Sequence, residues 1–174
     1  MTEIELVGID ADDTLWQSET FFAEVEEKFT ELMSKYSSDT SLEESLSSNE
    51  ISNLRVFGYG VKSFTLSMIE TAHLVSGGDI ASSDIKQIVS WGKELLQHPV
   101  ILLDGAEEAI RELASNFTVY IVTKGDLLHQ RSKIEDSGLD KLVAGFDIFH
   151  EKDPESYLDF LTEKNVDPKN FLMA

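Results

Sequence analysis

The stretch Ile4-Glu5-Leu6-Val7-Gly8-Ile9-Asp10-Ala11-Asp12-Asp13-Thr14-Leu15-Trp16 decides the fold. Ile4, Leu6, Val7 and Ile9 make a short apolar strand that stops abruptly at Asp10. Asp10 and Asp12 are separated by one residue in a tight turn. Carboxylates so spaced can face one pocket and divide nucleophilic and acid/base duties. Their mutual repulsion calls for an offset, usually a divalent cation. A calcium loop would require glycine at its sixth position and glutamate at its twelfth. Those positions hold Leu15 and Phe21, so that reading fails. A solvated acidic turn remains the plain alternative for the stretch taken alone.

Downstream, the pattern is helical from about residue 18 to about 100. Phe22, Val25, Phe29, Leu32, Met33 and Tyr36 recur at three-four spacing and make one apolar face. The serine-rich, acidic stretch SSDTSLEESLSSNE reads as a loose helix-loop or a linker. Helical spacing resumes with Phe64, Met68, Ala72 and Val75 and stops at Gly77-Gly78. Ser82 or Ser83 is placed to cap a further helix that ends near Gln97, with Trp91 packed inside this segment.

After Pro99, helices are expected over 106–114 and 127–137, the second closed by Gly138. The β-branched and aromatic run 117–122 and the segment 146–149 read as strands. Asp153-Pro154 opens another helix, with the aspartate as cap and proline at the first position. Asp167-Pro168 turns into a last apolar strand at Phe171-Leu172-Met173. Alternating strands and helices imply an α/β protein with a parallel sheet. The expected division is an α/β core of 1–16 and 100–174, with 17–99 an inserted helical domain. Ligands of such sheets bind outside the carboxyl ends of the strands, where this insertion begins.

Composition narrows the function. The 174 residues carry 33 acidic and 14 basic side chains, a formal net charge of −19. Such a field repels nucleic acid and anionic membranes, so neither is an expected partner. A phosphorylated ligand would need a local positive focus, from a bound cation and a lysine. The absence of cysteine excludes disulfides, thiolate metal sites and thiol catalysis, and fits a cytoplasmic location. The acidic N-terminus does not read as a secretory signal. His73, His98, His129 and His150 are scattered without metal-like spacing.

With DADDTLW at the end of a strand, Thr123 ending YIVT and Lys152 in HEKDPESY, the chain resembles the haloacid dehalogenase superfamily, with a helical cap between the first two motifs. The resemblance implies a Rossmann-like core and a magnesium-dependent hydrolase. It implies Asp10 as nucleophile and metal ligand. It also implies Asp12 as general acid and then base, lending its backbone carbonyl to the metal. Thr123 would hold a phosphate oxygen, and Lys152 would neutralise the nucleophile and the transferring phosphoryl group. Ala11, Asp12, Thr123, Lys124 and Lys152 become the substrate-binding candidates in the core. Arg55, Tyr59 and Lys62 are those of the cap, which supplies selectivity in the family, although Phe57 and Tyr59 also suit core packing around a tight turn. Trp16 is expected at the cap hinge.

Asp12 distinguishes branches of the superfamily. Halide departs from carbon without an acid, whereas an ester oxygen needs a proton, so Asp12 favours a phosphatase of small phosphorylated metabolites. A phosphomutase shares these motifs, and a non-catalytic ligand-binding relative is the alternative from another class. The family's fourth motif, a small-residue turn with metal-binding aspartate, is not found before the sequence ends at FLMA. Little or no turnover is therefore expected of these 174 residues, with the chemistry belonging to a longer parent chain.

Overall fold

The computed structural model describes residues 3–37 and 42–174. The chain divides into two compact units, Met1–Ser18 with Pro99–Ala174, and Glu19–His98.

The first unit is built on a parallel sheet. Strand β1 (Leu6–Ile9) is buried throughout and lies between β2 (Thr118–Lys124) and β4 (Phe171–Met173), with β3 (Gly145–Phe149) beyond β2. All three pairings are parallel, and Val7 stands opposite both Val119 and Leu172. Alternate residues point to opposite faces. Val7, Ile9, Val119 and Ile121 pack on one side with Ile110, Ile134 and Leu139. Leu6 and Val122 pack on the other with Phe149, Phe160 and Leu161. Gly8 lies on this second side, where a Cβ would sit 2.9 Å from Met173 Sδ and 3.0 Å from the Phe171 ring. Only glycine lets those two side chains close over the strand.

Helices α5 (Ala106–Ala114), α6 (Leu127–Ser137) and α7 (Pro154–Lys164) flank the sheet. Their ends follow the local chemistry read in the sequence. Asp126 caps α6 by accepting from the His129 amide, and left-handed Gly138 closes it. Asp153 accepts from the Ser156 amide at the start of α7, with Pro154 at the first position. Asp167 likewise caps a short 3₁₀ turn, Pro168–Asn170, that leads into β4.

The second unit is helical: α1 (Glu19–Met33), α2 (Leu42–Phe57), α3 (Val61–Val75) and α4 (Ser82–Leu96). Phe29, Met33, Met68, Ala72, Ile88 and Trp91 form its core. The serine-rich stretch is helical from Leu42 onward, while residues 38–41 fall outside the described residues. Leu46 and Asn53 supply the buried face of α2, which its polar composition hides. Asn53 donates to Ser67 Oγ at 3.1 Å and to Glu70 Oε2 at 2.7 Å, and Asn49 donates to Thr71 Oγ1 at 2.8 Å. Hydrogen bonds replace apolar contact between α2 and α3 here. Neither Ser82 nor Ser83 caps α4: the cap position is Ala81, and both serines are already helical. The tight turn expected around Phe57 and Tyr59 is short: residues 53–57 finish α2, and Gly58 and Gly60, both at positive φ, make the connection.

Glu26 and Glu50 share the acidic side of this unit. Burial raises the Glu50 carboxyl above its ordinary 4.5, and the charges of Glu26 and Glu19 add to it. A raised carboxyl holds its proton longer in the folded chain, so stability falls as pH rises from 4.5 through the raised value, and the penalty is complete above it. Glu50→Gln is expected to stabilise the chain at pH 7 by about 0.5 kcal/mol, the scale of a partly exposed charge. The gain should vanish in thermal melts below about pH 4, under the unfolded carboxyl's own value. An equal gain at both pH values would rule out charge relief.

Candidate active site

The turn after β1 is organised by one carbonyl. Ala11, fully buried, accepts from the amides of Thr14, Leu15 and Trp16. Asp13 takes a left-handed conformation at φ 57, which aspartate tolerates, and its carboxylate accepts from the Ser18 amide. The turn is tied to a second segment, since Leu103 N donates to Leu15 O at 2.9 Å and Gln17 N donates to Ile101 O at 3.0 Å. Trp16 is wholly buried in the α/β core, bridges to Leu102, and donates its indole N–H to Asp12.

Each carboxylate has its own lysine. Lys152, between β3 and α7, pairs with Asp10 Oδ1. Lys133, on α6, lies 2.5 Å from Asp12 Oδ1. Asp12 also accepts from Trp16 Nε1 and from Gln130 Nε2, both at 2.7 Å. Burial pushes the Asp12 carboxyl up, but the Lys133 charge and the hydrogen bonds from Lys133, Gln130 and Trp16 outweigh it, leaving the group below the usual 3.8. Thr123, 2% exposed at the end of β2, has its hydroxyl 3.4 Å from the same Gln130 nitrogen. Lys124 pairs with Glu151 at 3.1 Å. Tyr157 on α7 stands close enough to Asp10 that, after burial, the aspartate's charge helps raise its phenol above 10.0.

Asp10, Ala11, Asp12, Thr123, Lys124 and Lys152 thus belong to one unit, around the carboxyl ends of β1 and β2. Tyr59 and Lys62 belong to the other, Lys62 as the second residue of α3. Tyr59 lines a cavity of about 260 Å³ with Glu19, Glu26 and Glu50, whose charges disfavour a phosphate there. Lys133 and Gln130 escaped the sequence reading. Their signal was a basic and an amide side chain one turn apart on α6, but Arg131 on the same helix presented an equal claim. Arg131 instead pairs with Glu135.

The donor set suits a hard cation. Among the described residues no backbone amide donates to the Asp12 carbonyl, and Asp10 Oδ2 has only a 3.5 Å contact from Thr14 Oγ1. No group of three or more His, Cys, Asp or Glu side chains is placed to hold a metal among those residues. The oxygens left open to a cation are the Asp10 carboxylate and the Asp12 carbonyl.

Residues 4–174 match the family model for haloacid dehalogenase-like hydrolases. The chain belongs to that family. A haloacid dehalogenase-like family hydrolase from Xanthomonas campestris is 40% identical, with a TM-score of 0.91 over 99% of this chain and 74% of that one. A HAD-hydrolase from Bacillus subtilis bound to magnesium has a TM-score of 0.64 at 17% identity, over 98% of this chain and 77% of the other. An L-2-haloacid dehalogenase from Xanthobacter autotrophicus has a TM-score of 0.61 at 14% identity, over 98% and 69%. These last two likenesses concern the fold. No curated protein matches the chain. Membership of the haloacid dehalogenase-like family agrees with the Rossmann-like core and parallel sheet. No helix among the described residues is long and apolar enough to cross a membrane.

Proposed function

We propose that the chain is a magnesium-dependent phosphatase of small phosphorylated metabolites, in which Asp10 is the nucleophile and Asp12 the acid/base. The carrying observation is the separate binding of two neighbouring carboxylates, Asp10 by Lys152 and Asp12 by Lys133. The Asp10 carboxylate attacks phosphorus, the ester P–O bond breaks, and Asp12 gives its proton to the departing oxygen. Water then attacks phosphorus of the aspartyl-phosphate while Asp12 takes the water's proton, and the Asp10 Oδ–P bond breaks to release phosphate and restore the carboxylate. Lys152 offsets charge on the nucleophile and phosphoryl group, and the Thr123 hydroxyl donates to a phosphoryl oxygen. The resting site favours ionised Asp12. An incoming phosphate raises its proton affinity by like-charge repulsion, as the acid step requires. The Asp10 carboxylate and the Asp12 carbonyl would hold magnesium, which supplies charge neutralisation at the phosphoryl oxygens.

A dehalogenase on the same fold is distinguished by its product. Slow phosphate release, in keeping with the little turnover expected of these 174 residues, should be seen from a panel of small phosphate monoesters with magnesium, and none after chelation. Asp12→Asn should slow that release about 10²- to 10⁴-fold, the usual contribution of acid/base catalysis. Halide release from 2-chloropropionate without phosphate release from any ester would reverse the assignment.

A further inference from the structure

We infer that Lys133, acting with Gln130 and Trp16, is a positioning residue that fixes the Asp12 carboxylate for proton transfer to the leaving oxygen. The inference rests on the phosphatase reading and assigns a task to residues outside the aspartate, threonine and lysine set derived above.

An ionised carboxylate offers about four lone-pair sites. At Asp12 three donors take up three of them: Trp16 Nε1 and Lys133 Nζ on Oδ1, and Gln130 Nε2 on Oδ2. The remaining site lies on Oδ2, so one oxygen is saturated and the other keeps room for the transferred proton. The carboxylate cannot rotate without breaking charge-assisted bonds of 2.5 to 2.7 Å.

The supporting residues are themselves fixed. Lys133 lies 5.9 Å from the Trp16 ring centroid, its stem largely covered. Gln130 is 4% exposed, and its Nε2 is also 2.7 Å from Lys124 O. Its Oε1 is buried and accepts from no protein donor among the described residues. Gly125, at φ 138, makes room for this amide, since a Cβ there would stand 3.0 Å from Gln130 Nε2.

Leaving-group chemistry separates positioning from mere support. Protonation matters greatly for an alkoxide and little for a nitrophenolate. Wild type, Lys133→Met, Lys133→Arg and Asp12→Asn are compared by kcat/KM on glycerol phosphate and on p-nitrophenyl phosphate, with magnesium, alongside thermal melts. Lys133→Met is expected to lose about 10-fold or more on glycerol phosphate and about 3-fold or less on the nitrophenyl ester, with Lys133→Arg recovering part of the loss. Should Lys133→Met fail to fold, Lys133→Gln is read by the same criterion. Equal losses on both esters, or no loss while Asp12→Asn is impaired, would overturn the positioning role and leave the phosphatase reading intact. Unimpaired Asp12→Asn, or a wild-type chain inactive on both esters, would instead overturn the reading on which it rests.

Discussion

Asp10→Asn is expected to lower phosphate release by about 10⁴-fold or more, the scale on which losing a covalent nucleophile is felt. The amide is nearly isosteric, so β1 and its Asp10 N to Ala174 O bond should persist. What disappears is the anionic oxygen that attacks phosphorus, together with the charged partner of Lys152. Lys152 would then be free to meet the substrate's phosphate directly, so affinity should be kept or improved while kcat falls. That split separates an enzyme from a ligand-binding relative. It is read by steady-state kinetics and by equilibrium binding of an unhydrolysed ester. Retained turnover in Asp10→Asn would remove the aspartyl-phosphate route.

Phe29→Ala is expected to cost about 3–5 kcal/mol of stability, the usual toll of emptying a buried aromatic site. Phe29 is wholly inaccessible in the helical unit, clustered with Met33, Met68 and Ile88. Met68 and Ile88 sit on α3 and α4, so no single side chain can relax into the void. Denaturant unfolding of the whole chain should show the transition assigned to this unit moving to lower concentration. A loss under about 1 kcal/mol would mean that the helices re-close around the gap, contrary to the packing described here.

Much of this architecture was legible because local chemistry and tertiary structure agree. Asp126, Gly138 and Asp153-Pro154 mark helix ends through backbone hydrogen bonds that the flanking residues alone dictate. Leu6, Val7 and Ile9 announce a buried strand in the same way. Helix α2 was obscured because its inward face includes Asn53, satisfied by Ser67 and Glu70. That partnership requires knowing that α2 and α3 are neighbours. The site divides similarly. Asp10, Asp12, Thr123 and Lys152 lie at strand ends or turns where spacing carries meaning. Lys133 reaches Asp12 across 121 residues of sequence, and nothing in its own helix separates it from Arg131. Trp16 had a visible position but not a visible task, since only three-dimensional packing shows that its buried N–H ends on Asp12.

The paired backbone bonds from Gln17 to Ile101 and from Leu103 to Leu15 carry an engineering consequence. They bring together the places where the chain departs for the helical segment and where it comes back. Closing a loop between ends already held side by side is entropically cheap and depends only weakly on loop length. Glu19–His98 is therefore expected to be exchangeable as a cassette. A short Gly/Ser connector, or a foreign domain with adjacent termini, could be spliced there while the sheet and the Asp12 clamp stay in register.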